Sequence, residues 1–515
     1  MLAGMSALGE GNFGVGSWIE RRARIAPDRV ALVSGGRQLT YGELGIRIRR
    51  LGNGLRRLGV ARGDRVAWLG ENHPAFLESL FAVGLLGAAL APVNHRLQSD
   101  ERALVLADTE PTVIVEHDAM EPTPVPSSVR HRLAVGGPRQ GAQDYEALIA
   151  ASPDNFAEES ILLDDLFLLP HTSGTTGQPK GVMLTHGNAT WNVINFLTCA
   201  DFRGDDVTIA IAPFFRVGGT GVNVLPVLFM GGTVIVPEDA RPDEILSLIE
   251  RHHVTVGFGN PDLLDALARS ARWPTVDLSS IRFIVTGGAP VPERLVRTYL
   301  ERRVNLLQGY GLSEAGPLAL LLDEASALDK IGSAGRPPLL VDVRIVDADG
   351  QDAPPNETGE LLVRGPNVMA GYWNRPEETR QVLTEGGWLH TGDAARADED
   401  AYVWIVGRVE DRIITDGGVV HPGDVERVLL LHPSVADVGV VGLRPEDAGQ
   451  AVVAFVVPAP GVPASEEELL AFARGRLAPP AVPASIRYVD AVPRNSVGKM
   501  LRQELRARLT GEGLG

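Results

Sequence analysis

The chain has 515 residues, more than one hydrophobic core usually serves, so two or more domains are expected. Its 44% hydrophobic and 22% charged residues are ordinary for a globular protein. The 65 acidic residues outnumber the 48 basic ones, and the resulting net charge of -17 argues against nucleic-acid binding while leaving room for a local positive pocket.

The start of the chain and its cysteine content favour a cytoplasmic protein. Residues 1–17 are small and Gly-rich, without the basic start and apolar segment of a signal peptide. The most apolar stretch, 76–93, contains Glu78 and predicts a buried helix running into a strand, because a membrane span needs about 20 mostly apolar residues. The single cysteine, Cys199, cannot form an internal disulfide and is interpreted as a small core residue, not a catalytic thiol.

Helical and strand-like patterns alternate through most of the chain. Strands are predicted at 30–33, 65–69, 254–257 and 281–285, and helices at 40–58, 76–87, from Pro242, and at 263–271. This alternation predicts largely parallel sheets that helices cover on both faces. A Pro-rich stretch at 121–128 is predicted to be a surface loop.

The pattern changes near residue 340. Short strands at 341–346 and 360–364, separated by Pro- and Gly-rich turns, predict a smaller β-rich subdomain. A further α/β pattern follows, with a helix at 425–431, strands at 435–443 and 451–457, and a helix at 466–477. We therefore predict an α/β protein with a large N-terminal domain of two mostly parallel sheets plus the β-rich subdomain (1–407), a joint (408–411) and a small C-terminal α/β domain (412–515).

The strongest chemical motif is the segment 172–181, Thr-Ser-Gly-Thr-Thr-Gly-Gln-Pro-Lys-Gly, which follows an apolar strand at 166–169. Its glycines allow a tight turn that exposes backbone N–H groups, and its hydroxyls and lysine add donors, so the loop suits phosphate oxygens. It lacks the spacing of a Walker A loop. A flexible surface turn is the alternative, and ten residues of this composition directly after a buried strand argue against it.

Three further motifs carry groups that suit a nucleotide. The segment 287–290, Gly-Gly-Ala-Pro, follows a predicted strand and is by itself an ordinary strand-to-turn junction. The segment 308–314, Gln-Gly-Tyr-Gly-Leu-Ser-Glu, brings together a ring that can stack on adenine and a carboxylate suited to Mg²⁺ held between protein and phosphates. Asp393, which ends Trp-Leu-His-Thr-Gly-Asp, suits ribose hydroxyls, although an Asp after Gly is more often a turn residue.

In their order these motifs resemble the adenylate-forming superfamily of acyl-CoA synthetases, luciferases and nonribosomal-peptide adenylation domains. The resemblance runs from 39–44, Leu-Thr-Tyr-Gly-Glu-Leu, to 493–499, Pro-Arg-Asn-Ser-Val-Gly-Lys. It implies that ATP and Mg²⁺ are used to activate a carboxylic acid as acyl-AMP with release of pyrophosphate, and that CoA then accepts the acyl group. It also implies a mobile C-terminal domain that rotates between the two half-reactions and opens a channel for the acceptor thiol.

The resemblance also assigns roles to individual residues. Lys499, Glu314 and Ser313 are the implied catalytic residues: Lys499 offsets the repulsion between carboxylate and α-phosphate, and Glu314 binds the metal. Glu410 is the implied hinge residue. The implied substrate pocket contains Phe215, Arg216 and Gly219. The implied nucleotide-binding residues are Thr172, Ser173, Gly174, Thr175, Thr176, Lys180, Gly288, Ala289, Pro290, Gly309, Tyr310, Gly311, Asp393 and Arg408.

Two segments depart from the family pattern. The segment 415–422, Thr-Asp-Gly-Gly-Val-Val-His-Pro, lacks the Glu-Asn pair that acyl-CoA synthetases have in the loop contacting pantetheine. Neutral drift and a change of acceptor both explain this, so a carrier-protein thiol, an amine, or activation of nitrite for diazotisation stay open as alternatives. A catalytically inactive nucleotide-binding regulator is a third hypothesis, and the retained Lys499 argues against it.

The second departure is Arg216, where many family members have histidine near the acyl pocket. Either the arginine points into solvent or pairs with a carboxylate, or it recognises an anionic or polar group of the substrate. A long fatty acid would gain nothing from a buried charge. The identity of the acid and the oligomeric state are left open by the sequence.

Overall fold

A computed structural model describes residues 12–157, 159–173, 179–443, 450–459, 461–462, 465–494 and 500–510. In chain order the strands are β1 (Val30–Ser34), β2 (Arg37–Thr40), β3 (Arg65–Leu69), β4 (Ala89–Val93), β5 (Val113–His117), β6 (His131–Val135), β7 (Gln143–Asp144), β8 (Leu166–Leu168), β9 (His171–Ser173), β10 (Pro179–Thr185), β11 (Val207–Ile209), β12 (Thr233–Ile235), β13 (Val256–Gly259), β14 (Phe283–Thr286), β15 (Asn305–Gly311), β16 (Leu318–Leu321), β17 (Asp342–Val346), β18 (Gly359–Arg364), β19 (Gly371–Tyr372), β20 (Leu389–Ala397), β21 (Val403–Arg408), β22 (Ile413–Thr415), β23 (Gly418–Val420), β24 (Val435–Leu443), β25 (Ala451–Pro458) and β26 (Ser485–Tyr488). The helices are α1 (Ser17–Ile25), α2 (Tyr41–Arg57), α3 (Pro74–Leu85), α4 (Ser99–Thr109), α5 (Tyr145–Ala150), α6 (His186–Cys199), α7 (Val217–Gly221), α8 (Val224–Met230), α9 (Pro242–His252), α10 (Pro261–Ala268), α11 (Glu293–Glu301), α12 (Pro376–Val382), α13 (Pro422–Leu430), α14 (Glu466–Arg474) and α15 (Arg502–Thr510).

The first sheet runs in the order β16-β15-β14-β13-β11-β12-β1-β2. Its inner strands, from β15 to β1, pair in parallel, while β16 and β2 are antiparallel at the two edges. Parallel strands with helices on both faces are buried on both sides, which is why β14 reads as a continuous apolar run and is buried at every residue. The predicted parallel sheet is therefore confirmed.

The second sheet runs in the order β19-β10-β8-β4-β3-β5-β6-β7, with β9 paired to β10. From β8 to β7 the strands are parallel. The apolar stretch at 76–93 forms the buried part of α3 and then β4, as predicted. Among the residues described, none of the helices has both the length and the apolar character of a membrane span.

The β-rich subdomain and the smaller C-terminal domain are also present. Strands β17, β18, β20 and β21 form an antiparallel sheet. Beyond it, β24, β25 and β26 form a separate sheet, and with α13 and α14 they enclose their own apolar core. The helix predicted at 466–477 is shorter than expected, because α14 ends at Arg474 with Gly475 as its C-cap. Glycine has a low helix propensity, and the residues beyond it do not continue the helix.

Loops at the carboxyl ends of the parallel strands of both sheets meet at one place. Asn72, just after β3, donates from Nδ2 to the carbonyl oxygens of Ala210 (3.0 Å) and Ala212 (2.8 Å), just after β11. Its Oδ1 accepts from the backbone N–H of Phe214 at 2.8 Å. Open α/β sheets bind ligands at this edge, so the loops that follow β4, β8, β11, β14 and β15 define the candidate site.

Candidate active site

The strand pair β9–β10 holds the two ends of the predicted phosphate loop. Thr172 lies opposite Lys180 in this antiparallel pair, and Ser173 lies opposite Pro179. The hairpin follows β8, so it rises from the carboxyl edge of the second sheet. The three central loop positions predicted to bind phosphate lie outside the described residues: Gly174, Thr175 and Thr176.

A polar cluster that the sequence did not reveal anchors this hairpin. His171 Nε2 lies 3.0 Å from Asp108 Oδ2 on α4, and Arg375 Nη2 donates to Asp108 Oδ1 at 2.7 Å. Burial disfavours the ionised carboxyl, but His171 and Arg375 outweigh it, so the pKa of Asp108 is lowered. The charged cluster therefore fixes the base of the loop to α4. Its members are far apart in sequence, so no local pattern signals it.

The ends of β14 and β15 form a flat backbone surface. A side chain at Gly287 would bring its Cβ to 2.5 Å from the carbonyl oxygen of Gly309, so these two backbones approach as only glycine permits. Gly288 has φ +83°, again a conformation that favours glycine, and Ala289 and Pro290 continue the same loop. A planar ring can lie against such a surface without meeting a side chain.

Tyr310, Asp393 and Arg408 are brought together from three separate predicted motifs. Tyr310 Oη donates to Asp393 Oδ2 at 2.6 Å, and Arg408 Nη1 donates to Asp393 Oδ1 at 3.0 Å. Asp393 and Arg408 lie opposite each other in the β20–β21 pair. Burial and the neighbouring Asp393 raise the pKa of Tyr310, which keeps its hydroxyl protonated as a donor. Burial opposes the charge of Arg408, but Asp393 outweighs it and the pKa is raised.

Glu314 and Lys180 meet at a tyrosine that the sequence reasoning missed. Tyr372 Oη donates to Glu314 Oε1 at 2.9 Å, and Lys180 Nζ lies 5.3 Å from the centroid of the Tyr372 ring. The pairing of β19 with β10 places Tyr372 opposite Val182, two residues after Lys180. Glu314 lies with Ser313 in a short 3-10 turn that follows Gly311 at the end of β15. One aromatic side chain thus connects the base of the phosphate loop to the predicted metal-binding carboxylate.

We expect Tyr372→Phe to lower the rate of acid-dependent ATP–pyrophosphate exchange by about tenfold, because a hydrogen bond to a charged group contributes about 1.5–3 kcal/mol. The ring and its contact with Lys180 remain, so any fall in melting temperature should come from the lost hydrogen bond alone. Exchange measured against Mg²⁺ concentration should show a raised Mg²⁺ requirement if the lost bond orients Glu314.

Tyr402→Phe is the matched control for this substitution. Tyr402 Oη also donates to a carboxylate, Asp323 Oδ2 at 2.9 Å, away from the predicted nucleotide residues. We expect this variant to keep the wild-type exchange rate. Equal losses in both variants would mean that Tyr372 acts only through general stability.

Ion pairs hold the two ends of the predicted joint to different parts of the protein. Arg408 is tied to Asp393 of the N-terminal domain, whereas Asp411 forms ion pairs with Arg502 (3.4 Å) and Arg506 (3.2 Å) of the C-terminal helix α15. Glu410 lies in the 3-10 turn Val409–Asp411 between these attachments, with its Oε1 3.9 Å from Arg408 Nε.

The predicted acyl-pocket residues follow β11. Phe215 is buried, and Arg216, which precedes α7, is half-buried without an ion pair among the described residues. Gly219 fits a tight turn, since a Cβ there would lie 2.1 Å from the carbonyl oxygen of Pro213. A Cβ on Gly218 would meet the Phe258 ring at 3.4 Å, so the backbone of α7 packs close to this aromatic side chain.

Three other predictions concern the C-terminal part of the chain and the end of α6. The altered segment forms a tight hairpin, β22–β23, whose cross-strand pair Ile414 and Val419 is exposed. Lys499 lies outside the described residues. Cys199 ends α6, and burial raises the pKa of its thiol to about 12, which makes it a poor nucleophile and agrees with the structural interpretation.

Comparisons with known proteins agree with this geometry. A family model described as AMP-binding enzyme matches residues 19–373, and one described as AMP-binding enzyme C-terminal domain matches residues 424–499. The chain is 45% identical over 498 residues to a feruloyl-CoA synthase of an Amycolatopsis species, covering 96% of this chain and 99% of that one. It is 37% identical over 498 residues to an indoleacetate–CoA ligase of Aromatoleum aromaticum, covering 95% of this chain and 97% of that one.

Two solved structures are similar over almost the whole chain, and both hold an acyl-adenylate. An anthranilate CoA ligase in complex with anthranoyl-AMP has a TM-score of 0.89 and 26% identity, covering 97% of this chain and 98% of that one. An o-succinylbenzoate CoA synthetase of Bacillus subtilis, in complex with its acyl-adenylate intermediate, has a TM-score of 0.83 and 30% identity, covering 95% of this chain and 98% of that one.

These full-length similarities confirm the predicted adenylation chemistry and favour CoA over the other acceptors, despite the altered segment at 415–422. The chain belongs to the AMP-binding enzyme family and is an AMP-forming acid–thiol ligase, which makes an acyl-AMP from ATP and a carboxylic acid and then a CoA thioester.

Proposed function

We propose that the chain activates an aromatic carboxylic acid, with the site residues described above in the following roles. The assembly of Tyr310, Asp393 and Arg408 supports the nucleotide-binding roles, because it places a ring, a carboxylate and a cation at the edge where the phosphate loop and the glycine surface also end. Adenine would lie between the Tyr310 ring and the backbone after β14, and Asp393 would accept hydrogen bonds from the ribose hydroxyls.

The phosphates would lie beside Lys180 and the loop that β9 and β10 enclose. Glu314 fits a role in holding Mg²⁺ against those phosphates. Its Oε1 accepts from Tyr372, while Oε2 takes no hydrogen bond from the described residues. No group of three or more potential metal-ligating side chains occurs in the described ranges. Mg²⁺ is often held by one or two carboxylates together with substrate phosphates, so a single glutamate suits it. The ion would screen the phosphate charge.

In the first half-reaction a carboxylate oxygen of the acid attacks the α-phosphorus of ATP. The new C–O–P linkage forms as the α–β phosphoanhydride bond breaks, and pyrophosphate leaves with that electron pair. Lys499 would offset the repulsion between the two anions as they approach. In the second half-reaction the CoA sulfur attacks the acyl carbon, AMP leaves, and the thiol proton passes to solvent.

The two half-reactions need different groups of the C-terminal domain at the active site. Rotation of that domain about the joint at 408–411 would exchange those groups. Because Arg408 is held by the N-terminal domain and Asp411 by α15, a rotation would be confined to Val409 and Glu410. We therefore assign Glu410 as the hinge residue, with the domains at 1–407 and 412–515. A cytoplasmic location stays a prediction.

Two observations support an aromatic acid. The relatives named for feruloyl, indoleacetate, anthranilate and succinylbenzoate substrates all act on acids that contain an aromatic ring. In this chain Phe215 packs against the His95 ring and Phe258 lies beside Gly218 of α7, so aromatic side chains border the predicted acyl pocket.

Acid-dependent ATP–pyrophosphate exchange tests the proposal. The panel contains ferulate, indoleacetate, anthranilate and 2-succinylbenzoate, straight-chain acids of matched carbon number, and nitrite as a control for diazotisation. We expect an aromatic acid to support the fastest exchange and to give a CoA thioester by mass spectrometry. Exchange with straight-chain acids alone would contradict the aromatic assignment, and a product that forms only with a carrier protein, an amine or nitrite would restore those alternatives.

A further inference from the structure

Two arginines from different sheets lie together on the acyl side of the site. Arg96 follows β4 of the second sheet, and Arg216 follows β11 of the first. Phe215 connects the two loops: its ring centroid lies 5.8 Å from the Arg96 guanidinium carbon and 5.3 Å from the ring centroid of His95. Arg96 is close enough to Arg216 for their charges to repel, and this repulsion, after burial, lowers the pKa of Arg216.

Arg216 is half-buried and Arg96 is exposed, and they differ from several half-buried arginines that a carboxylate neutralises. Arg47, Arg282 and Arg502 each contact at least one carboxylate. Arg96 and Arg216, by contrast, have no ion pair within the part of the chain that the structure describes. Glu71 acts on the pKa of His95 but makes no ion pair with either arginine there.

Two neighbouring guanidinium groups without a carboxylate repel each other, and an anion between them would reverse that repulsion. Arginine stays charged at physiological pH and binds oxyanions through paired N–H donors. His95 lies beside Phe215, and burial and then Arg96 lower its pKa.

We infer that Arg96 and Arg216 receive a second carboxylate of the acid substrate, so the preferred substrate is a dicarboxylic acid. The inference rests on the proposed function, because it concerns the acyl side of the same site. One carboxylate of the acid is activated at the α-phosphate, and the other stays bound to the two arginines through both half-reactions without changing chemically.

Acids that differ by one carboxylate test this inference. Cinnamate and its 2-, 3- and 4-carboxy derivatives share one aromatic frame and place the second carboxylate at different distances. We expect at least one diacid to exceed cinnamate in kcat/KM for pyrophosphate exchange by about tenfold or more, the size of effect that hydrogen bonds to a charged group produce. A wild-type preference for cinnamate itself would overturn the inference.

The variants Arg216→Gln and Arg96→Gln should each remove most of the diacid preference, measured as the ratio of kcat/KM for the diacid to kcat/KM for cinnamate. Arg216→Lys keeps the positive charge and should keep part of the preference. Because Arg216→Gln relieves repulsion from Arg96, its melting temperature should equal or exceed that of the wild type, which a purely structural role would not produce. Arg251→Gln is the control, since Arg251 is exposed on α9 near the amino end of β13, at the opposite edge of the sheet.

The outcomes separate the inference from the proposed function. An unchanged diacid-to-monoacid ratio in Arg216→Gln overturns the inference and leaves the aromatic-acid proposal intact. A raised KM for ATP or CoA with an unchanged acid ratio would assign the pair to a phosphate group and also overturn it. Absence of exchange with every acid, including those of the wider panel, would instead overturn the proposed function.

Discussion

Replacing Asp393 with alanine is expected to raise the KM for ATP by about ten- to a hundredfold, since hydrogen bonds to a charged group contribute about 1.5–3 kcal/mol. The carboxylate accepts from Tyr310 at 2.6 Å and from Arg408 at 3.0 Å, and in the proposed mode it also binds ribose. Its removal would leave two partly buried donors without their acceptor. Steady-state pyrophosphate exchange over a range of ATP concentrations measures the effect.

Asp393→Asn should fall between the wild type and Asp393→Ala. The amide keeps one acceptor oxygen and nearly the same volume, but it cannot balance the charge of Arg408. A graded series would therefore separate the charge of the carboxylate from its geometry. Tm should fall in both variants, because Asp393 and Arg408 form a mostly buried ion pair in the β20–β21 pair.

Asp398→Ala controls for this loss of stability. Asp398 follows β20 directly and accepts from Lys330 Nζ at 2.6 Å, and both side chains are about as exposed as Asp393 and Arg408. It lies beyond the predicted nucleotide residues, so its loss should lower Tm without changing the KM for ATP. An Asp393→Ala enzyme whose KM for ATP stays within about twofold of the wild type would remove Asp393 from the nucleotide site.

The sequence predicted the sheets well because their physical signal is strong. Parallel strands are buried on both faces, so β3 and β14 stand out as apolar runs between helical patterns. Element ends were less accurate, since they depend on single capping residues. The strand predicted at 254–257 begins two residues later, at Val256.

The residues of the candidate site were also predicted unevenly. Loop residues such as Lys180, Tyr310 and Asp393 were predicted because they lie in compact motifs with a recognisable order. Tyr372 was missed because its contact with Glu314 joins residues 58 positions apart and depends on the pairing of β19 with β10. The sequence also drew attention to Arg216 but not to Arg96, since only the meeting of the two sheets makes them neighbours.

Replacing Lys499 with alanine is expected to slow adenylation by about a hundred- to a thousandfold, the size of effect seen when one preorganised charge-stabilising group is removed. Only three of the 48 Lys and Arg residues are lysines: Lys180, Lys330 and Lys499. A chain that uses arginine for nearly all its cations retains lysine at two of the predicted motifs. A compact ammonium on a flexible stem suits a group that must approach the α-phosphate and then withdraw.

The two half-reactions distinguish this role from a general defect. Lys499→Ala should lose pyrophosphate exchange but convert preformed acyl-AMP and CoA into thioester at close to the wild-type rate, because the lysine is needed only while two anions are brought together. Lys330→Ala serves as the control, since Lys330 pairs with Asp398 and Asp400 outside the predicted nucleotide residues and should affect neither half. Equal losses in both half-reactions would show that Lys499 supports the C-terminal domain as a whole.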